Sequence, residues 1–263
     1  MPRDEILWPS APADERGVWK QPPGAPDSRL REVHVWAVPL EAAPEEFDCL
    51  TALLSAQELE RGARFHFDRD RKRFVVARGT LRAMLAHYLD AAPRKLEFNY
   101  GVQGKPALAA PFDRSGLQFN LAHSQNLALV AVTRNVALGV DVERVRPLAD
   151  AEHLVTRFFS ARESAAFKTV PDADRPAAFF NLWTRKEAWL KATGDGIGHL
   201  LNQVEVSFLP GAPTRLLGLP PQAAPPGAWS LVELAPAAGF AAALAVATTP
   251  IEIQCRLWVH PDG

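Results

Sequence analysis

Two acidic residues separated by one position are the first feature of this chain that could perform chemistry. Asp141 and Glu143 lie in the stretch 138–144, which reads LGVDVER. If this stretch is a strand, its side chains alternate between two faces, so both carboxylates share one face about 7 Å apart at the backbone. Two carboxylates at that separation can bind one small cation.

A third carboxylate lies in a charged segment with helical spacing, residues 183–191. Glu187 and Lys191 are one helical turn apart, and they could simply form an ordinary ion pair worth about 0.2–0.5 kcal/mol. Lys186, however, lies inside the apolar stripe of the helix. Because a buried ammonium without an anionic partner is costly, we expect Lys186 to face an acid or a phosphate.

The composition is typical of a globular protein that binds neither nucleic acid nor membranes. The chain has 263 residues, 48% of them hydrophobic and 22% charged, and a formal net charge of -1. A broad nucleic-acid-binding surface would need a basic excess, and no apolar run approaches the roughly 20 residues of a membrane helix. The two cysteines form no metal-binding spacing or disulfide framework, and no signal peptide is evident, so we expect a cytoplasmic location.

The order of the predicted elements indicates an α+β fold with two similar halves. Residues 1–31 are rich in proline and predict a flexible arm. The N-terminal half would span 32–148 and the C-terminal half 149–263, because helices followed by a strand–loop–strand unit occur in each. A cleft between such halves is a common place for a ligand.

Each half also contains a serine three residues before a glutamate, the capping-box pattern of a helix start. The pairs are Ser55 with Glu58 and Ser160 with Glu163. Arginines and lysines crowd the stretch 61–82, which we interpret as a solvated helix face.

Two loops carry further candidates for binding. Lys105 lies between a glycine and a proline that constrains the loop, although most such tripeptides are only turns. His123 lies between two predicted strands, where local backbone could equally satisfy it.

In this order, the motifs resemble those of the 4'-phosphopantetheinyl transferases, over about residues 32 to 250. The chain is similar to the larger, surfactin-type members, which are monomers with pseudo-twofold symmetry. The acidic strand and the helical motif are highly specific together, and the shorter motifs corroborate them. The motifs are Gly-Val-Asp-Val-Glu at 139–143, Phe-Phe-Ser at 158–160, Trp-x-x-Lys-Glu-Ala-x-x-Lys at 183–191, Gly-Lys-Pro at 104–106 and Asn-Leu-Ala-His-Ser at 120–124.

The resemblance implies transfer of 4'-phosphopantetheine from coenzyme A to a serine of an apo acyl or peptidyl carrier protein, with release of 3',5'-adenosine bisphosphate. Asp141, Glu143 and Glu187 would coordinate Mg²⁺, which would also bind the pyrophosphate of coenzyme A. Lys191 would contact the pyrophosphate as a fixed cation. Glu187 is also the candidate base for the carrier serine, directly or through water.

The same resemblance assigns the coenzyme A contacts to a second set of residues. These are Arg61, Arg73, Lys105, Pro106, His123 and Ser124, with Asp141 and Lys191 at the pyrophosphate. Some relatives carry a pair of lysines early in the first helix, where this chain has Glu58 and Arg61. The contact with the 3'-phosphate therefore departs from the family pattern there.

Two other functions compete with transfer. A coenzyme A-binding module without activity would not need the three acids and Lys191, all of which are present. Another magnesium-dependent nucleotide transferase would bind ATP and would leave the ordered motif set unexplained. The sequence does not distinguish fatty-acid, polyketide and nonribosomal peptide carriers, and Phe158, Phe159 and Phe167 could contact the carrier or pack in the core.

Overall fold

The computed structural model describes residues 31–194, 200–209 and 211–258, and the predicted arm lies almost entirely outside them. The mixture of helices and strands confirms the α+β class. The elements of the first part are β1 Glu32–Pro39, α1 Pro44–Leu53, α2 Ala56–Ala63, α3 Asp68–Tyr88, β2 Phe98–Tyr100, β3 Pro106–Leu108, β4 Leu117–Ser124 and β5 Leu127–Arg134. Those of the second part are β6 Leu138–Arg144, α4 Ala151–Phe158, α5 Ala161–Lys168, α6 Arg175–Thr193, β7 Glu205–Val206, β8 Leu216–Gly218, β9 Ser230–Leu234, β10 Phe240–Val246 and β11 Glu252–Leu257.

Two sheets form the centre of the molecule. Their strand orders are β11-β1-β5-β4 and β6-β10-β9. In the first sheet, β1 lies antiparallel to β5, and β5 pairs with β4. In the second sheet, β6 lies antiparallel to β10, and β10 pairs with β9. The two parts of the chain therefore build their sheets in the same order.

The last strand, β11, departs from this pattern. It returns to the first sheet and lies parallel to β1, with Glu252 opposite Glu32. The strand β6, in contrast, hydrogen-bonds to β10 of the second sheet. The predicted boundary at residue 148 would therefore assign β6 to the N-terminal half, although β6 pairs with β10 of the C-terminal half. The division into halves stays a prediction, and the sheets favour a position between β5 and β6.

The sheets share an apolar core between them, formed by residues such as Val35, Leu129, Val140 and Leu244. The other face of the first sheet packs against α1 and α3. The other face of the second sheet packs against α6, with α4 and α5 beside it. The resulting layers are helix, sheet, sheet and helix. None of the helices described has the length and apolarity needed to cross a membrane.

The acidic strand and the motif helix form as predicted. Leu138, Val140 and Val142 point into the central core. Helix α6 ends at Gly194, whose φ of 81° lies in the left-handed region that glycine adopts readily. This order of elements places the acids of β6 against α6.

One expectation needs correction. The basic stretch 61–82 is not wholly solvated, because Arg78 and Arg82 are buried on Glu58. The two capping boxes are both present, each with the reciprocal hydrogen bonds that the pattern predicts.

Candidate active site

Gly139 brings the acidic strand β6 into direct backbone contact with helix α6. A Cβ atom at this position would lie 2.2 Å from the carbonyl oxygen of Ala188 and 2.4 Å from the amide nitrogen of Ala192. Only glycine permits so close an approach. Asp141 follows two residues along the strand on the same face, and Glu187 precedes Ala188 in the helix. The crossing therefore gathers the predicted acids in one place.

Asp141 forms an ion pair with Lys191 across this crossing. Nζ of Lys191 donates to Oδ1 of Asp141 at 2.6 Å, and Asp141 is only 5% exposed. Burial raises the pKa of Asp141 to about 6, although the Lys191 charge opposes that rise. Burial alone would lower the pKa of Lys191, but Asp141, Glu187 and Glu143 outweigh it and raise the pKa.

Glu187 faces the same space and is buried. Its Oε1 atom has no hydrogen-bond partner in the described part of the chain, and neither has Oδ2 of Asp141. Burial, followed by the Asp141 charge, raises the pKa of Glu187 to about 7, while Lys191 acts in the opposite direction. Two buried, unpaired carboxylate oxygens are costly when ionised, so the site is suited to a cation that both can bind.

Glu143, the third predicted ligand, is oriented by Ser124. The Ser124 hydroxyl donates to Oε2 of Glu143 at 2.7 Å and accepts from the amide of Arg144 at 3.1 Å. The resemblance assigned Ser124 to the nucleotide end of coenzyme A. The structure instead engages its hydroxyl with a predicted metal ligand.

Asn120 is a residue of this site that the sequence reasoning did not single out. Its Oδ1 atom accepts the backbone N–H of Val140 at 2.8 Å, in the buried contact between β4 and β6. Asn120 and Ser124 lie four residues apart on β4, so they point to the same side of it. This spacing in the sequence could have indicated that Asn120 shares a site with Ser124. The two side chains bond to the backbone of β6, although β4 and β6 belong to different sheets.

The three acids are of the residue type that binds Mg²⁺, but they are not arranged around a common point in the described part of the chain. Within the described ranges, no group of three or more histidine, cysteine, aspartate or glutamate residues stands in metal-binding geometry. The charges of Asp141 and Glu143 nevertheless both act on Glu187, and two carboxylate oxygens are buried without partners. Carboxylates completed by phosphate oxygens and water are the ligand set that Mg²⁺ prefers.

Basic side chains, those of Arg73 and His123, lie near the acids. Burial and the charges of Lys191 and Arg73 lower the pKa of His123, while Glu143 and Asp70 raise it. Since His123 is exposed, water screens these effects. Arg73 is 18% exposed, with Nη1 3.9 Å from Oδ1 of Asp70. The structure thus brings His123 within electrostatic range of Arg73, Glu143 and Lys191.

A cavity of about 580 Å³ opens beside Arg73. It lies between the β1–α1 connection and the first turns of α3, and Phe47, Lys72 and Arg73 line part of it. Acidic side chains, those of Glu41, Asp48 and Asp68, line the cavity as well, so Arg73 is the residue that connects it with the site.

Three other predicted contacts are placed differently. The guanidinium of Arg61 is 5.7 Å from the centre of the Phe74 ring, on the exposed side of α2. Lys105 directs its ammonium at two backbone carbonyl oxygens, those of Leu138 and Ala192. Burial lowers the pKa of Lys105 to about 8. Pro106, the next residue, is half-buried and begins β3.

Lys186 faces an acid, one of the two partners that the sequence predicts. It is fully buried, and its ammonium donates to Oε2 of Glu163 and, at 2.6 Å, to the carbonyl oxygen of Leu201. The ring of Phe159 lies 4.6 Å from the same nitrogen. Phe159 and Phe167 are core residues, whereas Phe158 is 37% exposed. Lys186 therefore holds the helices together and does not face a phosphate.

Two family models match the chain. One, described as the 4'-phosphopantetheinyl transferase superfamily, matches residues 137–245. The other, described as the N-terminal part of 4'-phosphopantetheinyl transferase, matches residues 40–135. The two matches meet between β5 and β6, where the two sheets also divide.

Individual relatives agree with these models. The chain is 46% identical over 216 residues to the 4'-phosphopantetheinyl transferase HetI of Nostoc sp., which covers 82% of this chain and 88% of that protein. It is 42% identical over 153 residues to the Synechocystis sp. protein slr0495, whose name assigns it to the same enzyme class, covering 58% and 62%. It is 31% identical over 198 residues to a phosphopantetheinyl transferase of Thraustochytrium sp., covering 71% and 67%.

Proposed function

The chain belongs to the 4'-phosphopantetheinyl transferase family, and we propose that it performs the reaction of that family. It would transfer 4'-phosphopantetheine from coenzyme A to a serine of an apo acyl or peptidyl carrier protein. The observation that carries the proposal is the crossing at Gly139, which gathers Asp141, Glu187 and Lys191 near basic side chains. A phosphoryl-transfer site needs such positioned charges more than it needs covalent chemistry from the protein.

Asp141, Glu143 and Glu187 are proposed to hold Mg²⁺. Oδ2 of Asp141 and Oε1 of Glu187 support this, because both oxygens are buried without a hydrogen-bond partner among the described residues, and Lys191 is a single positive charge shared by these acids. When bound, the ion supplies stabilisation of the charge that develops on the attacked phosphate and on the leaving group. Ser124 holds Glu143 by its hydroxyl, which fixes the direction of that carboxylate.

Glu187 is proposed to accept the proton of the carrier serine, directly or through one water. Its position beside Asp141 and Lys191 supports this role, and a bound Mg²⁺ would keep the carboxylate ionised and able to accept a proton. The serine oxygen bonds to the phosphorus next to the pantetheine, the bond from that phosphorus to the bridging oxygen breaks, and 3',5'-adenosine bisphosphate leaves. Lys191, held by Asp141, presents its positive charge to the pyrophosphate.

Arg73 and His123 are proposed to bind the nucleotide end of coenzyme A, including its 3'-phosphate. His123 lies within range of the charges of both Lys191 and Arg73, and Arg73 also lines the cavity of about 580 Å³. Arg61 could extend this cationic surface, because its side chain is exposed. Glu58 cannot replace a lysine there, because its carboxylate is anionic and is bound by Arg78 and Arg82.

The two halves are proposed to be related by pseudo-twofold symmetry within a monomer. In each half, a capping-box glutamate at the start of a short helix also pairs with a basic residue of the long helix that follows. Glu58 pairs with Arg82, and Glu163 pairs with Lys186. The common strand order of the two sheets supports the same relation.

The test is incubation of the purified protein with coenzyme A, Mg²⁺ and a panel of apo carriers from fatty-acid, polyketide and nonribosomal peptide synthesis. Intact mass spectrometry should detect a gain of one phosphopantetheine group on at least one carrier. The absence of any gain across the panel would contradict transfer and favour a binding module. A thermal shift with ATP that exceeds the shift with coenzyme A would favour a different nucleotide transferase.

A further inference from the structure

We propose that Lys105 is a positioning residue that clamps the crossing of β6 and α6, rather than a ligand of coenzyme A. This inference rests on the proposed function, because it assigns Lys105 a part in arranging the residues of that reaction. Lys105 lies in the connection between β2 and β3, yet its ammonium reaches across to β6 and α6. It donates to the carbonyl oxygen of Leu138 at 3.0 Å and to that of Ala192 at 3.3 Å.

The two carbonyl oxygens belong to the two chain segments that meet at Gly139. Leu138 immediately precedes Gly139, and Ala192 is one of the residues that a Cβ at position 139 would strike. One ammonium group therefore bridges strand and helix at the point where their backbones touch. Lys105, which belongs to neither segment, thus contributes one hydrogen bond to the strand and one to the helix.

The last turn of α6 is a favourable place for this cation. Carbonyl oxygens in the last turn of a helix have no partner within the helix, and the helix dipole attracts positive charge there. Lys105 meets one of them, at Ala192, next to Lys191. Asp141 follows Leu138 by three residues on β6. A shift of the backbone at Ala192 would therefore move Lys191, and a shift at Leu138 would move Asp141.

The hairpin that carries Lys105 is built to hold it in this position. The amide of Gly101 donates to the carbonyl oxygen of Lys105 at 3.0 Å, and Gly104 closes the turn onto Gly101 at 2.8 Å. Gly104 has a φ of 77°, which favours glycine, and Pro106 restricts the conformation of Lys105 itself. The loop thus has little freedom to carry the ammonium towards a ligand.

The hydrogen bonds of the Lys105 ammonium favour this role over binding of coenzyme A. A lysine ammonium has three N–H donors, and two of them are used by Leu138 and Ala192. One donor is left, so Lys105 could give a phosphate only a single hydrogen bond unless it released one of the two carbonyl oxygens. Among the residues that the structure describes, Arg73 and His123 make no hydrogen bond to the backbone of the crossing, so they remain the better candidates for the phosphates.

Amide hydrogen–deuterium exchange of the free protein, without coenzyme A or metal, tests the clamp independently of catalysis. The variant is Lys105→Met, which keeps the apolar stem and removes the donors, and the matched control is Lys95→Met at an exposed lysine nearby. We expect exchange to become at least about tenfold faster around residues 138–141 and 189–194 in the first variant only. Lys105→Arg, which retains the donors, should recover most of the protection.

Steady-state kinetics supply the second reading. For Lys105→Met we expect kcat to fall at least about tenfold while KM for coenzyme A stays within about twofold, because misplacement of reacting groups acts on the chemical step. Unchanged exchange in the free protein, or a rise in KM without a fall in kcat, would overturn the proposal and make Lys105 a ligand. If Lys105→Met does not fold, Lys105→Gln is compared in the same way.

These results are distinguishable from failure of the proposed function. If the wild-type protein transfers nothing to any carrier, the proposed reaction is wrong. The exchange comparison still decides whether Lys105 clamps the crossing.

Discussion

Nζ of Lys191 lies 2.6 Å from Oδ1 of Asp141, so one oxygen of this carboxylate is bound by a cation in the metal-free protein. The other oxygen, Oδ2, is buried and has no partner among the described residues. A magnesium ion can therefore use Oδ2 without displacing Lys191. The ion pair also orients Asp141 within the crossing.

Replacement of Asp141 by asparagine should abolish transfer while the fold persists. The variant keeps the size of the side chain but loses the charge that would bind the ion, and we expect transfer to fall by about 10³-fold or more. The measurement is the initial rate on an apo carrier, with circular dichroism as a check on folding. Asp113→Asn, at an exposed aspartate, is the control. A near-normal rate for Asp141→Asn in the presence of magnesium would show that the metal site is wrongly assigned.

The raised pKa of Glu187 predicts a pH dependence of stability in the metal-free protein. Between its ordinary value of 4.5 and about 7, the folded protein keeps a proton that the unfolded chain has lost. The free energy of unfolding should therefore decrease as the pH rises through this window, by on the order of 2–3 kcal/mol. Urea unfolding at pH 5 and pH 8 in EDTA measures the decrease.

Glu187→Gln should remove most of this decrease, because glutamine does not titrate. Asp141 will retain a smaller part of it, since its pKa is also raised, to about 6. Glu97→Gln, at an exposed glutamate, should behave as the wild type. An equal dependence on pH in wild type and Glu187→Gln would refute the assignment of a buried, proton-binding carboxylate at this position.

Several parts of the fold and site could be predicted from the sequence because they depend on local pattern. Alternation defines the strand 138–144, and helical spacing places Lys186 in an apolar stripe. The partner of Lys186 could be predicted only as a class, because Glu163 comes from a different helix. The burial of Arg78 and Arg82 has the same origin, since it depends on the tertiary position of Glu58.

Contacts between residues that are far apart in the chain could not be predicted from the sequence in the same way. The parallel pairing of β11 with β1 joins residues more than 200 positions apart, and no local pattern encodes it. The bond from Ser124 to Glu143 likewise depends on how the edge of one sheet meets the other. The motif order of the family predicted that Ser124 matters, but it could not show that the hydroxyl is directed at a carboxylate.

Ser124→Ala should weaken magnesium binding and leave coenzyme A binding nearly unchanged. Loss of the hydrogen bond frees the Glu143 carboxylate, and removal of a partner that orients a metal ligand typically costs about 10–100-fold in metal affinity. The magnesium concentration at half-maximal rate and the affinity for coenzyme A in EDTA measure the two effects. A large loss of coenzyme A affinity without any change in the magnesium requirement would instead support a direct contact with the nucleotide.

Lys186→Met should destabilise the protein without altering the site. It would leave Glu163 buried without its cation, and breaking a buried pair typically costs about 3–5 kcal/mol. Glu163→Gln in the same chain should recover part of the loss, because it removes the unpaired charge. Urea unfolding gives both values. If Lys186→Met instead lowers coenzyme A affinity at unchanged stability, the lysine binds the ligand.

Arg73→Ala should reduce the preference for coenzyme A over dephospho-coenzyme A. The arginine is proposed to bind the 3'-phosphate, and a charge-assisted hydrogen bond of this kind contributes about 1.5–3 kcal/mol. The ratio of kcat/KM for the two substrates measures the effect, with Arg114→Ala, at an exposed arginine, as the control. An unchanged ratio would remove Arg73 from the phosphate contact.

The dependence of transfer on magnesium tests the central claim most directly. The rate at which an apo carrier gains phosphopantetheine is measured by intact mass while Mg²⁺ is titrated into EDTA-treated wild-type protein at fixed coenzyme A. The three-carboxylate site predicts no detectable transfer in EDTA and a saturable rise with Mg²⁺. Transfer at full rate without a divalent metal ion, or no transfer at any magnesium concentration, would contradict it.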